Sequence, residues 1–74
     1  MELKEFTVNF MDQFEDSDRE KIESKTVFKD LDSWDSLTTM LVIAMIKTEY
    51  NFDITADEIR SCNTVEELFN FINK

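Results

Sequence analysis

The 74 residues predict an all-α fold: a four-helix bundle with a long first loop and a short third helix. Three observations carry that reading. Leu3, Phe6, Phe10 and Phe14 recur at helical spacing, with mostly polar and charged residues in the gaps. Thr55-Ala56-Asp57-Glu58 and Thr64-Val65-Glu66-Glu67 are capping boxes, each marking a helix start. Glycine and proline are both absent, so turns must rely on Asp, Asn and Ser. That suits helices joined by loops better than tight β-hairpins, which favour glycine.

The phenylalanine stripe predicts a first helix over residues 2–15. From Glu15 to Lys25 only Ile22 is apolar, and Val27, Phe28 and Leu31 then interrupt a polar segment. Residues 16–35 are therefore expected to form one long loop, pinned to the core by those side chains. Loops of this length are uncommon in small domains and often functional. A second helix follows from Ser36 to Tyr50. Its stretch Met40 to Ile46 is apolar all the way round. Val42, Ile43, Ile46 and Tyr50 share one face, and Leu37, Met40, Leu41 and Ala44 share another. A bundle this small can hardly bury both, so the second face is expected to be an exposed apolar patch, which usually marks a binding surface. Thr55 caps a short third helix carrying Ile59. Thr64 caps a last helix with Val65, Leu68, Phe69 and Ile72 on its apolar stripe. No repeat or linker divides the chain, so residues 1–74 read as a single domain.

Composition narrows the function. The net charge is −9, which argues against nucleic acid, whose binders are basic, and against anionic membrane surfaces. Acidic domains of this size meet partners with basic patches, charge steering the encounter. Histidine is absent and Cys62 is the only cysteine. No disulfide can form within the chain, a zinc site would lack its usual ligands, and a single cysteine fits a reducing compartment. Cys62 itself is expected to be a small buried side chain. The N-terminal residues carry no secretion signal, and the longest apolar run is far short of the roughly 20 residues needed to span a bilayer. The expectation is a soluble, cytoplasmic monomer with no membrane insertion. Asp30 to Asp35 is acid-rich, but Trp34, Asp35 and Leu41 stand where a calcium-binding EF-hand loop needs Asp or Asn, Gly and Glu. An enzyme is also disfavoured, because neither Ser36 nor Cys62 has a basic partner placed by any motif.

Asp35-Ser36-Leu37 is the most informative tripeptide. It stands where the long loop ends and the apolar second helix begins, directly after Trp34. A serine or aspartate there commonly just caps the helix. A hydroxyl at a helix N-terminus is equally a good attachment point for a phosphodiester, because the helix end stabilises negative charge.

With that tripeptide in place, the chain resembles the acyl carrier protein family, including the peptidyl and D-alanyl carriers. Asp35-Ser36-Leu37 looks like the family's Asp-Ser-Leu motif at the same helix start. Phe28 and Asp30-Leu31 resemble its loop residues, and Tyr50, Ile54, Thr64-Val65 and Ile72 match the downstream pattern. The resemblance implies an acyl-carrier-like bundle with no catalysis of its own. It implies that Ser36 carries 4′-phosphopantetheine, transferred from coenzyme A by a phosphopantetheinyl transferase, and that acyl groups ride on the arm as thioesters. Asp35 would help the transferase place its magnesium ion, a role compatible with that of a helix-start carboxylate, and Leu37 completes the motif. Trp34, Met40, Leu41 and Ala44 would meet partners, namely acyl-activating or acyl-transferring enzymes with basic or apolar docking patches.

Departures from the family shape a finer expectation. Thr38, Leu41 and Lys47 stand where fatty-acid carriers expose acidic residues on the second helix, and Ile59 and Leu68 replace smaller residues. A more apolar partner surface and a reduced acyl cavity follow, pointing to a dedicated carrier of short or polar cargo in a specialised biosynthetic pathway. The alternative is a non-carrier acidic helical interaction module, which explains the charge and the patch but leaves the Asp-Ser-Leu placement as coincidence.

Overall fold

The computed structural model describes residues 2–73, among which helices are the only extended regular elements. They are α1 (Leu3–Met11), α2 (Asp16–Arg19), α3 (Ser36–Tyr50), α4 (Ala56–Arg60) and α5 (Val65–Ile72), with a 3₁₀ turn at Phe28–Asp30. Helix α1 packs on α3 and α5, and α4 packs on α3. These four make the expected bundle, and α2 is one turn within the expected loop.

The phenylalanine stripe does what its spacing predicts. Phe6 and Phe10 are fully buried and Phe14 is nearly so. Helix α1 stops four residues earlier than expected, and the amides of Gln13 and Phe14 instead reach back to the Phe10 and Met11 carbonyls in tighter turns. Acids at Asp12, Glu15 and Asp16 would oppose the negative end of a longer helix. Asp12 pairs with Arg19 of α2 at 2.7 Å instead, and Phe14 still reaches the core.

The long loop is held by buried side chains and by backbone pairing together. Ile22 and Phe28 are buried and Leu31 is half-buried, as expected. Val27 is exposed, which corrects its assignment as an apolar pin. Its contribution is a bridge to Thr64, flanked by Phe28 N–H to the Asn63 carbonyl (3.2 Å) and Val65 N–H to the Thr26 carbonyl (3.3 Å). Phe28 sits edge-on to Phe10 and to Trp34, with ring centroids 5.4 and 4.9 Å apart. The loop is thereby tied to the start of α5 and to α1.

Helix α3 spans the expected residues. Without a glycine to end it, Asn51 adopts the left-handed conformation (φ 54°), which Asn tolerates better than other non-glycine residues, and its N–H donates to the Lys47 carbonyl at 3.0 Å. Both capping boxes form, through Thr55 with Glu58 and Thr64 with Glu67. The inner face of α3 is Val42, Met45 and Ile46, all buried, with Ile43 and Tyr50 at its half-buried margins. They meet Ile59, Cys62, Val65 and Leu68 from the later helices.

The outer face of α3 is open. Leu37 and Met40 are each 66% exposed, Leu41 is 42% exposed, and Ala44 is exposed beside them. Leu41→Glu is therefore expected to change stability by no more than about 0.5 kcal/mol, the range of surface substitutions. Urea melts of the variant and wild type measure it, and a loss of several kcal/mol would place Leu41 inside the core. Thr38 departs from the expectation that it faces partners alongside Leu41 and Lys47, because it is buried. Its hydroxyl points back to the preceding loop, donating to the Ser33 carbonyl at 2.9 Å.

Candidate functional site

The site is assembled around the first turn of α3. Asp35 is the N-cap: its backbone is extended and its Oδ1 accepts the Thr38 N–H at 2.8 Å. That amide holds the Asp35 carboxyl below its ordinary pKa, against the opposing effect of burial. Capping is thus performed by the aspartate, which leaves the serine after it free of that duty. Ser36 is exposed as the first helical residue. Among the described residues its hydroxyl has no hydrogen-bond partner, and it opens onto a positive helix end.

Two surface clefts flank this turn. One, of about 370 Å³, is lined by Trp34, Asp35, Ser36, Thr39, Met40, Ile43, Ala56 and Arg60. It runs between α3 and α4, and Ser36 stands at its wall. The other, of about 440 Å³, lies between α3 and the segment after α1, and Asp18, Ser33, Asp35, Leu37, Thr38 and Leu41 line it among others. Leu37 and Leu41 therefore face one cleft, while Met40 and Ile43 face the other.

Trp34 is half-buried. Its ring stacks on Phe14 at 6.0 Å and packs against Phe28, so most of it belongs to the interior while part reaches the cleft beside Ser36. Arg60 brings a cation to that cleft from α4, paired with Asp57 one turn away. Further along α3, Lys47 pairs with Asp53 at 3.0 Å.

The loop entering α3 is braced from the other side. Asp18 accepts the Ser33 N–H at 2.9 Å and also the Ser33 hydroxyl. These two donors, the hydroxyl foremost, hold the Asp18 carboxyl below its ordinary pKa although burial pushes the other way. Asp18, Ser33 and Arg60 are not marked out by the sequence. No periodicity links residues so far apart along the chain, and an acid in an acidic polar segment carries no signal of burial.

The arrangement can present a hydroxyl, at a helix end that favours negative charge, with an open cleft beside it for whatever is attached. A covalently attached phosphate ester fits there without displacing a buried group. Among the described residues no helix is long and apolar enough to cross a membrane. Comparison of the chain with family models gives one described as PP-binding, phosphopantetheine attachment site, over residues 7–72. Comparisons with curated proteins and with solved structures gave no match. The family match spans both flanking clefts and every helix but the first turn of α1, and the chain belongs to the phosphopantetheine-attachment family as a non-catalytic carrier domain that holds 4′-phosphopantetheine covalently.

Proposed function

We propose that Ser36 is the attachment residue and that residues 1–74 act as a single carrier domain. The observation that carries this reading is the division of labour at the α3 N-terminus: Asp35 takes the cap, and Ser36 keeps an exposed, unengaged hydroxyl. During loading, the Ser36 oxygen forms the new ester bond to phosphorus as the pyrophosphate link of coenzyme A breaks. The nucleotide half leaves, and the serine proton passes to the transferase. Once attached, the arm supplies a thiol that holds an acyl group as a thioester. Asp35, beside the reacting oxygen and held ionised, is suited to the magnesium ion that the transferase brings.

The partners are a phosphopantetheinyl transferase and acyl-activating or acyl-transferring enzymes. Leu37, Met40, Leu41 and Ala44 offer them an apolar surface, with Trp34 at its edge, and the net charge of −9 favours basic rims around it. The buried thiol of Cys62 fits a reducing cytoplasm.

The cargo is short or polar, and the pathway a specialised one. Val42, Ile46, Ile59 and Leu68 are fully buried, so a long chain entering between α3 and the later helices must displace packed side chains. Overpacking of that kind costs about 1–3 kcal/mol. The cleft beside Ser36 is open to solvent, which leaves a chain lying in it only partly protected. Octanoylated and unacylated pantetheinyl protein should therefore melt within a few degrees of each other. A rise of many degrees on octanoylation, with a thioester resistant to cleavage, would contradict the short-cargo reading. Incubation with coenzyme A and a promiscuous transferase tests the carrier assignment itself, the expected result being a mass increase of one phosphopantetheine group.

A further inference from the structure

Helix α2 has an unusual interior. A four-residue helix is too short to be stable alone and normally earns its place by burying apolar surface. The residue that α2 buries is a carboxylate: Asp18 is 3% exposed. Among the described residues it is the only buried charged side chain. Burying a carboxylate is costly unless hydrogen bonds replace its water. Here the replacement comes from Ser33, through both its N–H and its hydroxyl, with Lys21 Nζ at the rim, 3.7 Å from Oδ1.

What Asp18 grips is the peptide leading into α3. Two donors from one residue fix both the Ser33 backbone and its side-chain rotamer. The Ser33 carbonyl accepts the Thr38 hydroxyl at 2.9 Å, and the Thr38 N–H donates to the Asp35 cap at 2.8 Å. The Trp34 N–H closes the preceding turn on the Leu31 carbonyl at 3.0 Å. Asp18, Ser33, Thr38 and Asp35 thus form one continuous set of hydrogen bonds around the backbone that ends at Ser36.

We propose that Asp18 is a positioning residue for modification at Ser36: through Ser33 and Thr38 it holds the loop-to-α3 junction in the form the transferase binds. The proposal rests on Ser36 being the attachment residue. Without the Asp18 brace the junction samples other conformations, and the apparent affinity of the transferase for the carrier falls by the fraction of time the competent form is lost. Once bound, the Ser36 hydroxyl reacts as before. The signature is a raised KM for the carrier with kcat little changed.

The experiment measures initial rates of phosphopantetheine transfer from coenzyme A against concentration of the full chain, at a temperature where circular dichroism shows each variant folded. Asp18→Ala removes both hydrogen bonds from Ser33 and should raise KM by at least about tenfold, the factor corresponding to a single hydrogen bond to a charged group. Asp18→Asn keeps a carbonyl oxygen for the Ser33 N–H and should recover part of that loss. Asp16→Ala removes the same charge from the same turn, at a side chain 98% exposed, and should leave both constants unchanged. Equal KM values for folded Asp18→Ala and wild type would overturn the proposal. So would an equal rise for Asp16→Ala, which would assign the effect to charge. Should Asp18→Ala fail to fold, Ser33→Ala removes only the hydroxyl contact and carries the test, a wild-type KM overturning the proposal. A wild type that takes no phosphopantetheine at Ser36 overturns the site reading and this proposal with it, whereas normal loading of every variant overturns this proposal alone.

Discussion

Ser36→Ala is expected to abolish loading while leaving the domain folded. The two halves of that result have separate causes. Loading is lost because the only atom removed is the proposed attachment oxygen. The fold is kept because Asp35, not Ser36, accepts the Thr38 N–H and caps α3. Loss of a working cap costs about 0.5–2 kcal/mol, and Ser36→Ala leaves the cap in place. Alanine is also the better helix former at an exposed first-turn position. The expected stability change is therefore within about 0.5 kcal/mol. Intact mass after transferase treatment and a urea melt measure the two halves. A variant that still gains a phosphopantetheine would refute the site. One that loses both loading and fold would show that the hydroxyl is structural.

Phe28→Ala is expected to have the largest effect on stability. The ring is fully buried, edge-on to both Phe10 and Trp34, at the point where the long loop crosses the bundle. Truncating a buried Phe to Ala typically costs about 3–5 kcal/mol. A single core in a domain this small supplies only about 3–5 kcal/mol in total. Phe28→Ala should therefore be substantially unfolded at room temperature, with loss of helical circular dichroism, whereas Leu37→Ala at an exposed site should melt like wild type. A Phe28→Ala protein that melts within a few degrees of wild type would mean that the loop is not anchored through this ring.

Much of the fold is written locally in the sequence. Helices α4 and α5 begin where their capping boxes say, because Thr55 with Glu58 and Thr64 with Glu67 satisfy the first-turn amides from within the same few residues. Helix α3 runs from the residue after Asp35 to the residue before Asn51, the one cap accepting the Thr38 amide and the other taking a left-handed turn. The phenylalanine stripe identified the buried face of α1, although the helix ends early where acids gather at its negative end.

The remainder depends on contacts that local pattern cannot carry. Helix α3 is apolar on nearly every side, so periodicity could not show that Thr38 turns inward. A hydroxyl can be buried there because the Ser33 carbonyl, five residues back, accepts it. Val27 reads as an apolar anchor, yet its backbone pairs with Thr64 while its side chain stays in water. The proposed attachment serine was legible from Asp35-Ser36-Leu37 and its position at a helix start. The hydrogen-bonded brace on the loop before it was not, since it joins Asp18 to Ser33, which lie far apart along the chain and share no local pattern.

Where the arm goes on the wild-type chain decides whether Ser36 is the attachment residue. Protein treated with coenzyme A and a phosphopantetheinyl transferase can be fragmented in the mass spectrometer and the added group localised. One phosphopantetheine per chain is expected, carried entirely on Ser36. A group found on Ser33, Ser61 or any threonine, or a chain that gains no mass at all, would contradict it.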